Sequence, residues 1–423
     1  MTRLGAFALT VFVLPACGSV SDADTDAAPG PGDSDASSQA DASVAADGGS
    51  CTPATCADQG ATCGSVFDGC GSFAVCGDPC TYNPLQTITP FDGVEAHQFG
   101  FAVSLAGNVL MIGGPAEDAT EPDQVWIYER DGAAFSFAGA PGSQGTGIGF
   151  AVATTGTRAA FGAQYSEVNQ GKVEIVELAG NGVWGVVDTL KPADITTSSR
   201  LGENVDIRGS LVIAAVPGGA DAYVFERDDA GTWNEQRLSA EDGTALAAEV
   251  AAGDGVLGCG SPSFNGGQGT VVLFQKTGET WEESGRLTAS DGTGGDGFGA
   301  SVAFDGDRMA IGAPGHGSTG AVYIFEREGD TWTEAAKATP VGGAAGDQFG
   351  IGVALDDTTL VVGTDDRGAY IFQFHEGSWM QTLKQDPPTS ISGAVSVSGG
   401  VIVIGNDRDT TETGAAHLYE RAP

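Results

Sequence analysis

A repeated pattern of short apolar runs constrains this chain more than any other feature of its sequence. A Gly-containing apolar run recurs about every fifty residues from residue 99 onwards. Clear copies occupy residues 99–103, 148–152, 201–205, 298–302 and 349–353, and weaker copies occupy residues 246–250 and 391–395. A period of this length is typical of solenoids and propellers, so the fold has to be considered unit by unit.

Each unit continues with three further elements that have the character of short β-strands. The second is an apolar run, as at residues 309–314 (MAIGAP), and the third alternates aromatic and other residues, as at residues 322–327 (VYIFER). The fourth begins at a tryptophan in five units, at Trp184, Trp233, Trp281, Trp332 and Trp379. The 67 Gly residues agree with strands joined by tight turns. Four strands in each of seven units predict an all-β fold, a seven-bladed β-propeller of four-stranded blades.

The ring is predicted to close with a strand that precedes the first repeat. The last unit ends at residues 418–421 after its third strand, so one strand is missing. Residues 83–90 (NPLQTITP) look like the fourth-strand segments of other units. We expect them to complete the seventh blade, because closure removes an exposed sheet edge.

The repeats resemble FG-GAP repeats, the family that also forms the propeller of the integrin α-subunit. The likeness rests on Phe-Gly in the first element and Gly-Ala-Pro in the second, and it covers residues 84–423. Integrin-type blades hold calcium in a D-x-D-x-D-G-x-x-D loop between strands one and two. The corresponding turns here are too short, at residues 106–108, 305–307, 356–358 and 398–400. No cofactor is expected, although calcium at another acidic loop stays open.

We place the propeller at residues 82–423. Two segments, residues 1–17 and 18–50, precede the cysteine-rich region. Residues 1–17 carry an early positive charge and an apolar run too short to span a bilayer, which predicts a signal peptide. Its end resembles the bacterial lipobox, which implies lipidation of Cys17, and ordinary cleavage with free secretion is the alternative. Residues 18–50 hold seven Asp and no Lys, Arg or aromatic residue, so we expect a disordered tether.

Six cysteines cluster in residues 51–81. They are Cys51, Cys56, Cys63, Cys70, Cys76 and Cys80. A module this small needs cross-links, and clustered cysteines of even number are typical of an oxidising compartment. Zinc is disfavoured because the segment has no His and no C-x-x-C pair. The sequence therefore predicts a disulfide-rich module of unknown pairing in an exported protein.

The charge balance narrows the range of partners. The chain has 56 Asp and Glu against 18 Lys and Arg, a formal net charge of -38. Such a surface repels phosphate backbones and anionic lipid headgroups. We therefore expect no nucleic acid partner, membrane contact only through the N-terminal lipid, and a surface protein or a glycan as ligand.

No catalytic constellation is recognisable in the sequence. The four histidines lie outside G-x-S-x-G and H-E-x-x-H motifs. Cys259 occupies a second-strand position that suits a buried small residue better than a reactive thiol. Glu203, Asp206 and Glu249 are the acidic exceptions in the first strands of blades three and four, so any chemistry is expected there.

Loops between strands two and three and between consecutive blades should gather on one side of the ring, here called the loop face. The predicted ligand contacts on it are Glu95, His97, Glu117, Asp118, Asp123, Asp296, His316, Asp347, Asp365, Asp366, Asp407 and Asp409. Such a surface suits a cationic protein, a sugar bound through carboxylates or a metal bridge to a partner. Solubility alone also explains it.

These features predict a lipid-anchored binding or adhesion protein of a bacterial cell surface, at the outer membrane or else secreted. A structural envelope component and a propeller-fold hydrolase or lyase acting on polysaccharide are the alternatives. A deep pocket around the first-strand carboxylates would favour the enzyme, whereas apolar, unbroken first strands would favour binding at the rim.

Overall fold

A computed structural model describes part of the chain. The described residues are 64–67, 73–76, 82–90, 98–116, 123–141, 146–217, 221–246, 249–365, 368–375, 377–385, 393–407 and 413–422. The predicted signal peptide, lipidation site and tether lie outside them, as do Cys51, Cys56, Cys63, Cys70 and Cys80. Strands β1 (Gly64–Phe67) and β2 (Phe73–Cys76) form an antiparallel hairpin within the cysteine-rich region.

The strands from Tyr82 onwards form seven blades, numbered along the chain. Strand β3 is Tyr82–Ile88. Blade one comprises β4 (Ala102–Ala106), β5 (Val109–Gly114), β6 (Gln124–Asp131) and β7 (Ala134–Gly139). Blade two comprises β8 (Ile148–Thr154), β9 (Arg158–Ala163), the single turn α1 (Ser166–Asn169), β10 (Val173–Leu178) and β11 (Trp184–Leu190). Blade three comprises β12 (Val205–Arg208), β13 (Leu211–Val216), β14 (Asp221–Arg227) and β15 (Trp233–Leu238).

The remaining blades repeat this arrangement. Blade four comprises β16 (Glu249–Ala252), β17 (Val256–Ser261), the single turn α2 (Phe264–Gly267), β18 (Thr270–Thr277) and β19 (Thr280–Leu287). Blade five comprises β20 (Ser301–Asp305), β21 (Arg308–Ala313), β22 (Ala321–Glu328) and β23 (Thr331–Ala338). Blade six comprises β24 (Gly352–Asp356), β25 (Thr359–Gly363), β26 (Ala369–His375) and β27 (Ser378–Gln385). Blade seven contains β28 (Val395–Ser398), β29 (Val401–Asn406) and β30 (Ala415–Arg421).

Each blade is an antiparallel four-stranded sheet. In blades one to six the strands follow the chain from the ring axis outwards, and in blade seven the order is β28, β29, β30 and β3. The first strand of every blade contacts the first strands of both neighbouring blades, and β28 contacts β4. This closed contact circle makes the first strands the innermost ones. The predicted seven-bladed propeller is confirmed.

The seventh blade closes as predicted, with the early strand β3 in the outermost position. Strand β3 pairs antiparallel with β30, from Tyr82 opposite Arg421 to Ile88 opposite Ala416. The Oγ1 of Thr87 lies 3.2 Å from Nδ1 of His417. The ring is thus joined by hydrogen bonds between the two ends of the domain.

The glycines of the repeat have a physical cause in the packing of neighbouring blades. Gly299 and Gly350, which follow the motif phenylalanines, have φ of 91° and 96°, a left-handed backbone that favours glycine. A Cβ added to Gly312, on the second strand, would overlap the carbonyl oxygen of Gly350 in the next blade. In blade three Ala215 occupies the position of Gly312, and the next blade has Leu246 followed by alanine instead of Phe-Gly. The glycine of the second strand and the glycine after the phenylalanine of the next blade therefore permit the same close contact between the two blades.

Apolar side chains fill the seven junctions between blades, with one buried cluster at each junction. The motif residues Phe99, Phe298 and Phe349 are fully buried there. Cys259 is likewise buried, and burial raises the pKa of its thiol to about 12, as expected for a small core residue. Over the described residues, none of the helices is long and apolar enough to cross a membrane.

Candidate functional site

The first strands surround a cavity of about 340 Å³ at the centre of the ring, here called the axial cavity. The residues that line it lie at the start of the first strands, next to the connections between blades. Apolar side chains come from blades one, two and six, namely Phe101, Phe150 and Ile351. Polar side chains come from blades three, four and five, namely Asn204, Glu249 and Ser301.

The three polar residues occupy equivalent positions, each immediately before the valine of its first element. The amide Nδ2 of Asn204 donates to Oε2 of Glu249 over 2.8 Å, and the backbone N–H of Val250 donates to Oδ1 of Asn204 over 3.3 Å. Ser301 Oγ donates to the carbonyl oxygen of Gly350 over 2.8 Å. These bonds fix the side chains across the junctions between blades.

Glu249 is the sole ionisable residue among the described residues that line the axial cavity. The residue is half-buried and lines the cavity. Burial raises the pKa of Glu249 to about 8, with a further increase from the nearby Asp206, and the hydrogen bond from Asn204 opposes the increase. The cavity thus favours a protonated carboxyl group beside an amide.

The other two first-strand acids have different environments. Asp206 accepts the backbone N–H of Ala252 at Oδ2 and of Ile207 at Oδ1, both over 2.8 Å, and burial raises its pKa to about 6. Glu203 forms an ion pair of 3.0 Å with Arg200, and burial raises its pKa. Neither lines the axial cavity, so the predicted group of three acids contributes one carboxyl to it.

Aromatic rings extend the apolar half of the axial cavity outwards over blade two. Phe101 and Phe150 are half-buried, with ring centroids 5.1 Å apart and an interplanar angle of 70°. Phe150 in turn contacts Tyr165, whose ring centroid is 5.7 Å away. Tyr165 follows the second strand of blade two, so the aromatic half of the cavity opens on the loop face.

Half of the twelve predicted ligand contacts lie outside the described residues. They are Glu95, His97, Glu117, Asp118, Asp366 and Asp409. The described members are Asp123, Asp296, His316, Asp347, Asp365 and Asp407. Their contacts with a ligand stay a prediction. The structure gives their positions in the loops and their hydrogen bonds within the protein.

Several of the described acids form hydrogen bonds with other groups of the loop face. Asp123 accepts the backbone N–H groups of Ala116 and Gly147 over 2.8 and 2.5 Å. Asp347 is fully buried and accepts the backbone N–H of Ala344 over 2.7 Å, and Asp365 donates its backbone N–H to the carbonyl oxygen of Asp347. Asp365 also accepts the side-chain amide of Gln348, and Asp407 is buried. None of these residues lines the axial cavity.

The structure brings two of the predicted residues, Asp296 and His316, into direct contact. His316 Nδ1 lies 2.8 Å from Asp296 Oδ2, and Lys337 Nζ lies 2.7 Å from Nε2 of the same ring. Tyr323 and Lys337 both donate to Asp291, whose pKa these hydrogen bonds lower to about 2.

Blade three repeats the contact between a loop aspartate and a third-strand tyrosine. There Tyr223 donates to Asp194 over 2.6 Å and Arg237 lies 3.7 Å from the same carboxylate. Recurrence in a second blade marks the arrangement around Asp291 as a way of fixing the connection between blades.

A second cavity of about 420 Å³ lies on the opposite side of the ring, where the turns between strands one and two gather. Its two arginines are already engaged: Arg308 with Glu326, and Arg327 with Asp307. No group of three or more His, Cys, Asp or Glu suited to a metal ion occurs within the described ranges.

Sequence reasoning singled out Glu249 but missed its neighbours in the axial cavity. Asn204 and Ser301 stand where four other blades have Ala102, Ala151, Gly352 and Ala394. The signal that could have identified them is a polar residue at a position where the other blades have a small apolar residue. Phe101 and Phe150 were assigned only to the repeat pattern.

Comparison with known proteins agrees with the repeat analysis. The FG-GAP repeat family matches residues 281–325 and 332–372, which run from the fourth strand of blade four through the third strand of blade six. A search of curated proteins found no match to the chain. The chain is therefore a seven-bladed β-propeller that carries FG-GAP repeats.

Proposed function

We propose that the protein is a non-enzymatic binding module whose ligand enters the axial cavity from the loop face. The observation that carries this proposal is the pairing of an aromatic wall with hydrogen-bonding groups in one preformed cavity. Small-molecule sites in proteins are concave, mostly apolar and supplied with a few fixed polar groups. Asn204 and Glu249 are such groups, since each is held by a bond to a neighbouring blade.

The module acts at a bacterial surface in this proposal. A lipid on Cys17 anchors the protein, residues 18–50 separate it from the membrane, and the disulfide-linked residues 51–81 form a spacer before the propeller. Labelling with a radioactive fatty acid tests the anchor: the wild-type chain should incorporate the label and Cys17→Ser should not. Equal labelling of both chains would refute lipidation at Cys17.

A binding screen with matched variants tests the site. The full-length protein is applied to a glycan array and to panels of polyanions and polycations, with and without calcium. Phe150→Ala should weaken saturable binding by about tenfold, because it removes one aromatic wall of the cavity. Phe374→Ala is the control, since Phe374 is also half-buried but belongs to blade six on the opposite side, beside Arg308.

The outcome also decides between the axial cavity and the rim of the loop face. Binding that is lost in Asp365→Asn but retained in Phe150→Ala would move the ligand site to the rim. An absence of binding to every probe would favour the structural envelope component.

A hydrolase or lyase acting on polysaccharide is the second candidate, because Glu249 is a carboxyl group kept neutral at the edge of a cavity. General acids with raised pKa act in this state. Glycosidases use two carboxyl groups on either side of the bond that is cleaved, however, and the described lining of the axial cavity supplies one. Release of reducing or unsaturated ends by the wild type, abolished in Glu249→Gln, would establish the enzyme.

A further inference from the structure

The two halves of the axial cavity face each other across the ring. Blades one, two and six supply phenyl and aliphatic surfaces, and blades three, four and five supply an amide, a carboxyl and a hydroxyl. A ligand that fills the cavity must therefore have an apolar side and a hydrogen-bonding side. A sugar ring has both, because its C–H groups form a flat apolar face and its hydroxyls project from the edge.

The polar half of the cavity keeps both hydrogen-bond donors and hydrogen-bond acceptors that a ligand can use. Asn204 uses one N–H on Glu249 and keeps the second, and Glu249 is bonded at Oε2, which leaves Oε1 for the cavity. Ser301 donates to Gly350 and retains its acceptor lone pairs. Hydroxyl groups satisfy such a mixture because each both donates and accepts.

The charge of the site argues against ionic ligands. No Lys or Arg is found among the described residues that line the cavity, and the chain has a formal net charge of -38, so a carboxylate, sulfate or phosphate meets repulsion. Glu249 is bonded to the neutral amide of Asn204, and burial raises its pKa to about 8, so the site favours an uncharged carboxyl over an ion pair with an ammonium group. A neutral ligand suits the cavity better than either ion.

We propose that the axial cavity binds the end of a neutral polysaccharide chain, with a sugar ring packed on Phe101 and Phe150 and its hydroxyls bonded to Asn204, Glu249 and Ser301. This inference rests on the proposed function, because it specifies the ligand of that site. At about 340 Å³ the cavity lies at the small end of ligand pockets, which suits the last residues of a chain better than its middle.

The surface of blade two indicates where the rest of the polysaccharide lies. Tyr165 is 39 % exposed beside Phe150, and Val168, in the same connection, is 78 % exposed. Glu167, Val168 and Asn169 all have positive φ, which is costly for a β-branched valine. Lys191 holds this turn through Glu167 and Gln170. Tyr165 thus presents an exposed ring beside Phe150, where a further sugar residue can pack.

Calorimetric titration of the full-length protein with tetrasaccharides tests the inference. The neutral probes are cellotetraose, maltotetraose, mannotetraose and chitotetraose, and the charged probes of equal length are deacetylated chitotetraose and tetragalacturonate. We expect one neutral series to bind, Phe150→Ala to weaken it by at least about tenfold, and Tyr165→Ala to weaken the tetrasaccharide more than the disaccharide. Glu249→Gln should change the affinity by less than about threefold, since it copies the neutral acid.

Each other outcome has a distinct meaning. The neutral sugar would be overturned if the protein preferred a charged tetrasaccharide, or bound only a protein partner. If that binding still depended on Phe150, the proposed site would stand. Loss of neutral-sugar binding in Glu249→Gln would overturn the role given to the protonated carboxyl. Binding unchanged in Phe150→Ala would overturn both the sugar and the site, with Phe374→Ala and the melting temperature of each variant as controls.

Discussion

The side-chain amide of Asn204 in blade three donates to the carboxyl of Glu249 in blade four over 2.8 Å, inside a cavity that holds no cationic partner for that carboxyl among the described residues. The bond orients Glu249 towards the cavity without supplying the charge that would ionise it. Stability should therefore depend on pH through this pair.

Glu249→Gln should stabilise the protein at alkaline pH and have little effect in mild acid. Burial raises the pKa of Glu249 from 4.5 to about 8, so the folded chain retains a proton that the unfolded chain releases, and stability falls as pH rises through this window. Gln carries no such penalty. Melting temperatures near pH 5 and near pH 9 measure the effect, with the exposed Glu235→Gln as control. The prediction is wrong if both variants differ from wild type by the same amount at both pH values.

Asp206→Ala should lower the free energy of unfolding by about 1–3 kcal/mol, because two backbone N–H groups lose their acceptor. Asp206→Ser should recover part of the loss. In other junctions Ser104 and Ser396 accept the equivalent N–H groups, from Thr154 over 3.1 Å and from Leu105 over 3.0 Å. Urea denaturation of the three chains measures this, and equal stability of the Ala and Ser variants would contradict it.

Gly312→Ala should cost about 3 kcal/mol or more, since the added methyl group overlaps the backbone of the next blade and neither strand can shift without disturbing its sheet. Gly285→Ala is the matched control. Gly285 also lies on a strand, β19, and a Cβ added there meets open space. Thermal melts compare the two, and similar melting temperatures would show that the close contact between blades is dispensable.

A chain that begins at residue 82 should melt close to the full-length protein, whereas one that begins at residue 91 lacks β3 and should melt about 10 °C lower or fail to fold. The shorter chain loses the pairing with β30 and the two hydrogen bonds of 2.9 Å between Gln86 and the backbone of Phe135 in blade one. A synthetic peptide of residues 82–90 should restore part of the loss. Identical melting of both truncated chains would contradict the closure.

The fold was accessible from the sequence because each blade repeats the same local pattern, so that strong units such as residues 298–327 identify weak ones. The pairing of β3 with β30 followed from counting strands. The site was less accessible. Asn204 and Glu249 are 45 residues apart and meet only when blades three and four pack against each other, and Glu249 stands in one of the two units with a weak first element. Departures from a repeat are where a function is to be sought.

The acidic loops were a weaker guide, for a local reason. Asp296 accepts both the backbone N–H and the hydroxyl of Thr293, three residues earlier. Short polar side chains in turns form hydrogen bonds with neighbouring backbone groups. Such bonds stabilise the loop and do not indicate a ligand site. Composition alone does not distinguish an aspartate that shapes its loop from one that presents its oxygens to solvent.

The pairing of β3 with β30 also determines the order in which the molecule can assemble. Thr87 and His417 are 330 residues apart in the chain, so β3 has no partner strand until β30 is present. A chain that leaves the ribosome or an export channel from its N-terminus therefore exposes β3 first and pairs it last. Contacts this distant in sequence form slowly, so the interval before closure is when the open seventh blade is most vulnerable to proteolysis and to pairing with another chain.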